Sequence, residues 1–222
     1  MCGRMAVTLP PDAMAQLFAA APANNLPEVP NYNVCHTNDV HVITSDEDGG
    51  RRLSAMRWGF IPRWYKKPSG GPLLINARAE TIAEKPAFRD AARQRRGLII
   101  ATGFYEWTKD AEGGRDPWFI APSDGSPLAL ATVWQDWSDT EGTQFRTCAI
   151  VTTGANAPMQ ALHHRMPVIL AEADWPLWLG EAGKGAATLM TAAPDNLLSW
   201  HRVDRAVNSN RAQGPDLIEP MA

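Results

Sequence analysis

The 222-residue sequence has little cysteine, and what it has is not arranged for bonding. Cys2, Cys35 and Cys148 are odd in number and far apart, with no C-x-x-C pair. That spacing argues against a disulfide framework and a structural zinc site, and for a reducing compartment. No apolar run reaches the roughly 20 residues of a membrane span, and the opening MCGRMAVTLP lacks the apolar stretch of a secretory signal. A cytoplasmic protein with no membrane partner is therefore expected. Internal repeats and long low-complexity linkers are also missing, so one domain over residues 2–220 is expected. His36, His41 and His201 lack ligand-like spacing, and no metal or organic cofactor is called for.

What is present is an ordinary globular composition with an uneven charge. Hydrophobic residues make up 45% and charged residues 20%, enough for a sizeable core in a chain of this length. The net charge of −3 conceals a block from Arg51 to Arg96 with twelve Lys or Arg against three acids, netting +9. The remainder nets −12. Such a block can attract phosphates without reading sequence. It can equally be the solvated face of a helix around 85–96.

The pattern predicts a helix over 11–21, an ordered Pro- and Asn-rich loop over 22–37, and a helical region over 79–96 interrupted at Pro86. Strand-like runs follow at 97–107, 117–121, 128–137 and 146–153, with a short helix at APMQALH, a strand at MPVIL, a helix ending at Gly180 and a last strand over 199–207. Strand runs with helices at their flanks imply an α+β fold with a curved or barrel-like mixed sheet as its core.

Several polar residues sit where apolar ones are expected. Glu106 ends the row Leu98, Ile100, Thr102, Phe104 that alternation places on one face of GLIIATGFYEW. A carboxyl desolvated there favours its protonated form and suits proton transfer; a strand-end Glu turned to solvent is the bland alternative. In LLINARAET, Asn76 follows three aliphatic residues and Arg78 lies two places on, on the same side of an extended chain. The amide can orient a nucleophile or substrate, and the guanidinium can grip a phosphate, although structural amides of this kind are common. His163, His164 and Arg165 directly precede the apolar run MPVIL, placing an acid–base group or a surface pair at a strand entrance. Trp64 and Tyr65 lie within the basic block among prolines and lysines, suited to base stacking or to core packing. Cys2 is the least expected: a thiol in an N-terminal tail, on a residue whose α-amine is exposed once Met1 is removed.

Together MCGR, NYNV, RWGFIP, INARAET, GFYEW, HHRMP and AVNSNRAQGPDLIEP resemble the SRAP family, from residue 2 to about residue 220 and in the family's order. The resemblance implies a sensor of abasic sites in single-stranded DNA that crosslinks itself to the sugar aldehyde as a thiazolidine, acting as a monomer and nucleoid-associated when bound. It makes Cys2 the nucleophile, with Asn76, Glu106 and His163 completing the catalytic set. Arg4, Arg78 and Arg165 match positions that hold the DNA backbone, and Trp64 and Tyr65 a loop that stacks against or wedges the strand. The family's usual Ala-Pro after NYNV is Cys35 and His36 here, and a position often Cys is Gly97; neither touches the inferred catalytic set. Two other functions stay open on the residues alone. A thiol peptidase could use Cys2, His163 and Asn76 as nucleophile, base and orienter, acting on peptides or in self-processing. A non-covalent reader of single-stranded or modified DNA could need only the basic block.

Overall fold

The computed structural model describes residues 2–23, 25–46 and 48–221. β1 (Arg4–Val7) leads to α1 (Pro11–Leu17), β2 (Ala20–Pro22), β3 (Asn31–Cys35), β4 (Asp39–Ser45), β5 (Arg51–Trp58) and β6 (Asn76–Arg78). Next come α2 (Arg89–Gln94), β7 (Arg96–Ala101), β8 (Gly103–Lys109), β9 (Arg115–Pro122), β10 (Leu128–Ser138) and β11 (Gln144–Gly154). β12 (Arg165–Pro167), α3 (Trp175–Leu179) and β13 (Leu198–Arg202) follow.

Five strands close into a barrel in the order β11, β10, β7, β4, β5 and back to β11. The closing pair is parallel, Thr147 opposite Arg57 and Cys148 opposite Trp58, whereas the other four pairs are antiparallel. Closure removes the open edges of these strands. β2 extends β5, while β6 and β12 add to the part of β11 that runs past the barrel. A second sheet has the order β13, β9, β8, β1, β3. The expected α+β architecture with a barrel-like mixed sheet is present.

The run GLIIATGFYEW is not one strand but two, in different sheets. β7 lies between β10 and β4, so Leu98, Ile99, Ile100 and Ala101 are all buried instead of alternating. The chain changes sheet at Thr102, whose N–H donates to the Ala6 carbonyl at 2.8 Å and whose hydroxyl accepts from the Thr8 N–H at 2.8 Å. Gly103 then starts β8 where a Cβ would lie 2.6 Å from the Ile120 carbonyl oxygen and against the Phe119 ring. Glu106 is thus buried for another reason than the predicted row: it faces inward from the second sheet.

Other boundaries also moved. The 22–37 loop contains β3, because Val34 packs into the core opposite Met5. The 79–96 region is helical only at Arg89–Gln94, its first half being turns around Pro86. The first helix stops at Leu17, the MPVIL strand covers Arg165–Pro167, and the last strand ends at Arg202. The basic block is accordingly not one helix face. Arg51 pairs with both carboxylate oxygens of Glu181 at 2.9 and 2.7 Å, and Arg96 donates to the Trp178 carbonyl, leaving only part of the block for a ligand. Among the described residues no helix is long and apolar enough to cross a membrane.

Candidate active site

β1 begins only at Arg4, and its ladder with β8 covers Met5 opposite Phe104 and Ala6 opposite Gly103. Past that point, from Glu106 onward, no strand among the described residues pairs with the edge of β8 opposite β9, and a cleft of about 500 Å³ opens there. Gly3, Arg4, Glu106, Trp107 and His163 are among its walls. Cys2 lies just beneath, 1% exposed. Asn76 on β6 donates from Nδ2 to the Cys2 carbonyl at 3.0 Å, tying the barrel's outer strand to the chain terminus. Its Oδ1 is buried with no hydrogen-bond partner among the described residues.

Burial, and secondarily the negative charge of Glu106, push the Cys2 thiol far above the ordinary thiol range. Such a thiol is held protonated and is not a pre-formed thiolate. Glu106 is 3% exposed, and burial raises its carboxyl above the usual carboxylate range. It can therefore carry a proton nearer neutral pH than an exposed glutamate can.

His163 is oriented by the turn into β12. The Arg165 N–H donates to His163 Nδ1 at 2.9 Å. Nδ1 also lies 3.2 Å from the Arg165 carbonyl oxygen, so the Arg165 backbone anchors the ring through this nitrogen. Burial lowers its pKa, opposed in part by the backbone hydrogen bond with Arg165.

Of the sequence-predicted residues, the structure gathers Cys2, Asn76, Glu106, His163 and Arg4. Arg4 lines the cleft while donating to Asn33 Oδ1 at 2.6 Å and the Val207 carbonyl at 2.8 Å. The others lie outside the cleft wall. Arg78 is exposed on β6. Arg165 is engaged: it reaches across β11 to form a two-pronged ion pair with Glu80 at 2.6 and 3.0 Å and donates to the Thr152 carbonyl at 2.7 Å. Trp64 is 58% exposed beside Lys66 and Lys67, and the Tyr65 carbonyl accepts from Trp137 Nε1 at 2.9 Å. No cluster of metal-ligating side chains occurs among the described residues.

A family model described as "SOS response associated peptidase (SRAP)" matches residues 1–210. The chain belongs to the SRAP family. Similar SRAP relatives include the abasic site processing protein YoqW of Bacillus subtilis, 34% identical with 99% of each chain covered, and YedK of Escherichia coli, 31% identical with 100% of each covered. HMCES of Rattus norvegicus, also named an abasic site processing protein, is 28% identical over 99% of this chain and 76% of its own. A crystal structure of a Bacteroides thetaiotaomicron protein superposes over 100% of both chains with a TM-score of 0.86 at 23% identity, so the two share a fold.

Sequence reasoning missed Trp107, Lys109, Arg115 and His36, all of which also line the cleft. A signal was there: Lys109 and Arg115 flank the tight DAEGG turn at hairpin spacing, and cross-strand pairing puts such residues side by side.

Proposed function

We propose that the chain processes abasic sites in single-stranded DNA by forming a thiazolidine crosslink through Cys2 after removal of Met1. Met1 itself lies outside the described residues. The observation that carries the reading is Cys2, held at its carbonyl by Asn76 and within electrostatic reach of a buried Glu106, next in the chain to Gly3 in the wall of a cleft that Glu106 also lines. The printed names of the relatives point to the same lesion.

The chemistry follows from these groups. An abasic deoxyribose is mostly a closed ring, and opening it moves a proton that Glu106 can carry while His163 donates to a sugar oxygen. The α-amine of Cys2, with a reference pKa of about 8 against about 10.4 for lysine, is substantially neutral and attacks the aldehyde carbon. Water leaves to give the imine. The thiol sulfur then adds to the same carbon and its proton passes to nitrogen, closing a five-membered ring. That step is intramolecular because both groups belong to one residue. Arg4 and Arg78 supply backbone contacts and Trp64 a stacking surface; Arg165 joins them only by leaving Glu80.

The test is a denaturing gel with intact mass after mixing Met1-free protein with an oligonucleotide carrying one abasic site. An adduct with wild type and none with Cys2→Ala is expected. An adduct that survives Cys2→Ala, or correctly processed wild type giving none, overturns the proposal.

A further inference from the structure

Opposite the barrel side of the cleft stands the β8–β9 hairpin, and its charges are unevenly compensated. Two of its acids are taken: Asp116 pairs with Arg202 at 2.8 Å and with Arg205 at 2.7 Å, and Asp110 also pairs with Arg205, while the exposed Glu112 at the turn forms no ion pair among the described residues. Its cations are not taken. Lys109 and Arg115 are exposed, stand directly opposite each other in the ladder, and form no ion pair among the described residues. Both line the cleft that holds Glu106 and His163.

Arg115 is moreover held in place without using its hydrogen-bonding edge. Its guanidinium lies over the Trp107 ring, 4.9 Å from the centroid, and Arg4 approaches the same ring at 5.6 Å. Trp107 is locked by Nε1 donating to Asn208 Oδ1 at 2.6 Å, and Asn208 returns a bond from Nδ2 to the Arg115 carbonyl at 3.1 Å. A stacked guanidinium fixed this way loses little further freedom when its N–H groups meet an anion. The opposite flank of the site, on β6, carries Arg78.

We propose that Lys109 and Arg115 form a phosphate subsite that grips the DNA phosphodiester on the hairpin side of the lesion. The strand is thereby held by both sheets, with the barrel side served by Arg78 and the hairpin side by this pair. The sugar between them is drawn over Glu106. The subsite rests on the proposed function for its ligand but not for its readout, because phosphate binding needs no aldehyde.

The experiment measures binding of an oligonucleotide with a tetrahydrofuran site, which cannot crosslink, across a series of salt concentrations. The double variant Lys109→Gln/Arg115→Gln is compared with wild type and with Lys184→Gln, an exposed lysine outside the cleft. Losing two phosphate contacts on a single strand lowers the slope of log K against log salt by about 1.4, which amounts to about 25-fold weaker binding near 0.1 M salt. Lys184→Gln is expected to match wild type. Replacing single phosphodiesters beside the lesion by neutral methylphosphonates should weaken wild type at one position, and that same replacement should no longer matter in the double variant. A double variant with wild-type slope and affinity overturns the subsite. So does a methylphosphonate effect equal in both proteins. Crosslinking of a natural abasic oligonucleotide by wild type is run alongside. Its absence with the subsite intact would overturn the thiazolidine reading alone, and absence of any single-strand binding would overturn both.

Discussion

Asn76 gives the sharpest test of how the fold controls its reactive residue. Asn76→Ala removes a 3.0 Å hydrogen bond to the Cys2 carbonyl and leaves that carbonyl, on a residue 1% exposed, without its side-chain donor. An unsatisfied buried acceptor costs about 1–3 kcal/mol. For a chain of this size each kcal/mol lowers the melting temperature by about 2–4 °C. The kinetic effect is expected to be larger. The carbonyl carbon is bonded to the α-carbon, which bears the amine and, through Cβ, the thiol, and a displacement of about 1 Å can slow a positioned reaction by about 100-fold. Asn76→Asp keeps the shape but turns an acceptor toward the carbonyl and adds a negative charge near Glu106, so it should fare no better than alanine. Crosslinking rates on an abasic oligonucleotide, with thermal melts of the same samples, read both effects. If Asn76→Ala crosslinked at the wild-type rate, the hydrogen bond would have no part in placing Cys2. If Asn76→Asp alone were slow, charge would be the cause.

Glu106→Gln should separate stability from activity. Burial raises the folded pKa of Glu106 above its unfolded value of about 4.3. Its contribution is therefore full below that value and is lost as pH rises through the folded pKa. The glutamine variant should melt higher at pH 7.5 while crosslinking about 100-fold to 10,000-fold more slowly, the usual share of proton transfer; equal rates would remove Glu106 from the mechanism. His41 is 1% exposed with Nε2 unpartnered among the described residues, and burial lowers its pKa. Stability from its neutral form is present above about pH 6.5 and fades below it as the unfolded chain takes up the proton. Chemical denaturation of His41→Leu should accordingly change less between pH 7.5 and pH 5 than that of wild type, and an unchanged slope would refute the assignment. Glu80→Gln should cost under about 1 kcal/mol, since Glu80 is 52% exposed, whereas Arg165→Met also strips the Thr152 carbonyl of a donor and should cost about 1–3 kcal/mol. Urea midpoints that reversed this order would show the ion pair to be the stronger anchor. Gly103→Ala should lose about 1–3 kcal/mol in a melt through overpacking against Phe119 and Ile120.

The sequence by itself determined the fold class and singled out the candidate residues that the structure brings together. Cys2, Asn76, Glu106 and His163 stood out because each is a reactive or polar group at the end of an apolar run or at the terminus. Such placement is local and visible in one dimension. Strand-like runs at 117–121, 128–137 and 146–153 were equally legible, since β10 and β11 carry aliphatic and aromatic side chains along their length. The sheet change at Thr102 was not legible. Both halves of GLIIATGFYEW have strand character, and only the Thr8 and Ala6 contacts divide them. β6 was hidden for a related reason: three residues long, it is extended because β11 offers it a ladder, not because its own propensity demands one.

Only the tertiary structure decided which cations are available. Arg165 and Arg115 are alike in a sequence, each a guanidinium near a motif. One is held by Glu80 from 85 positions away, and the other is stacked on Trp107 with its hairpin's Asp110 and Asp116 drawn off by Arg202 and Arg205. Charge compensation depends on distances across space, and those are set when the barrel closes and the second sheet packs beside it.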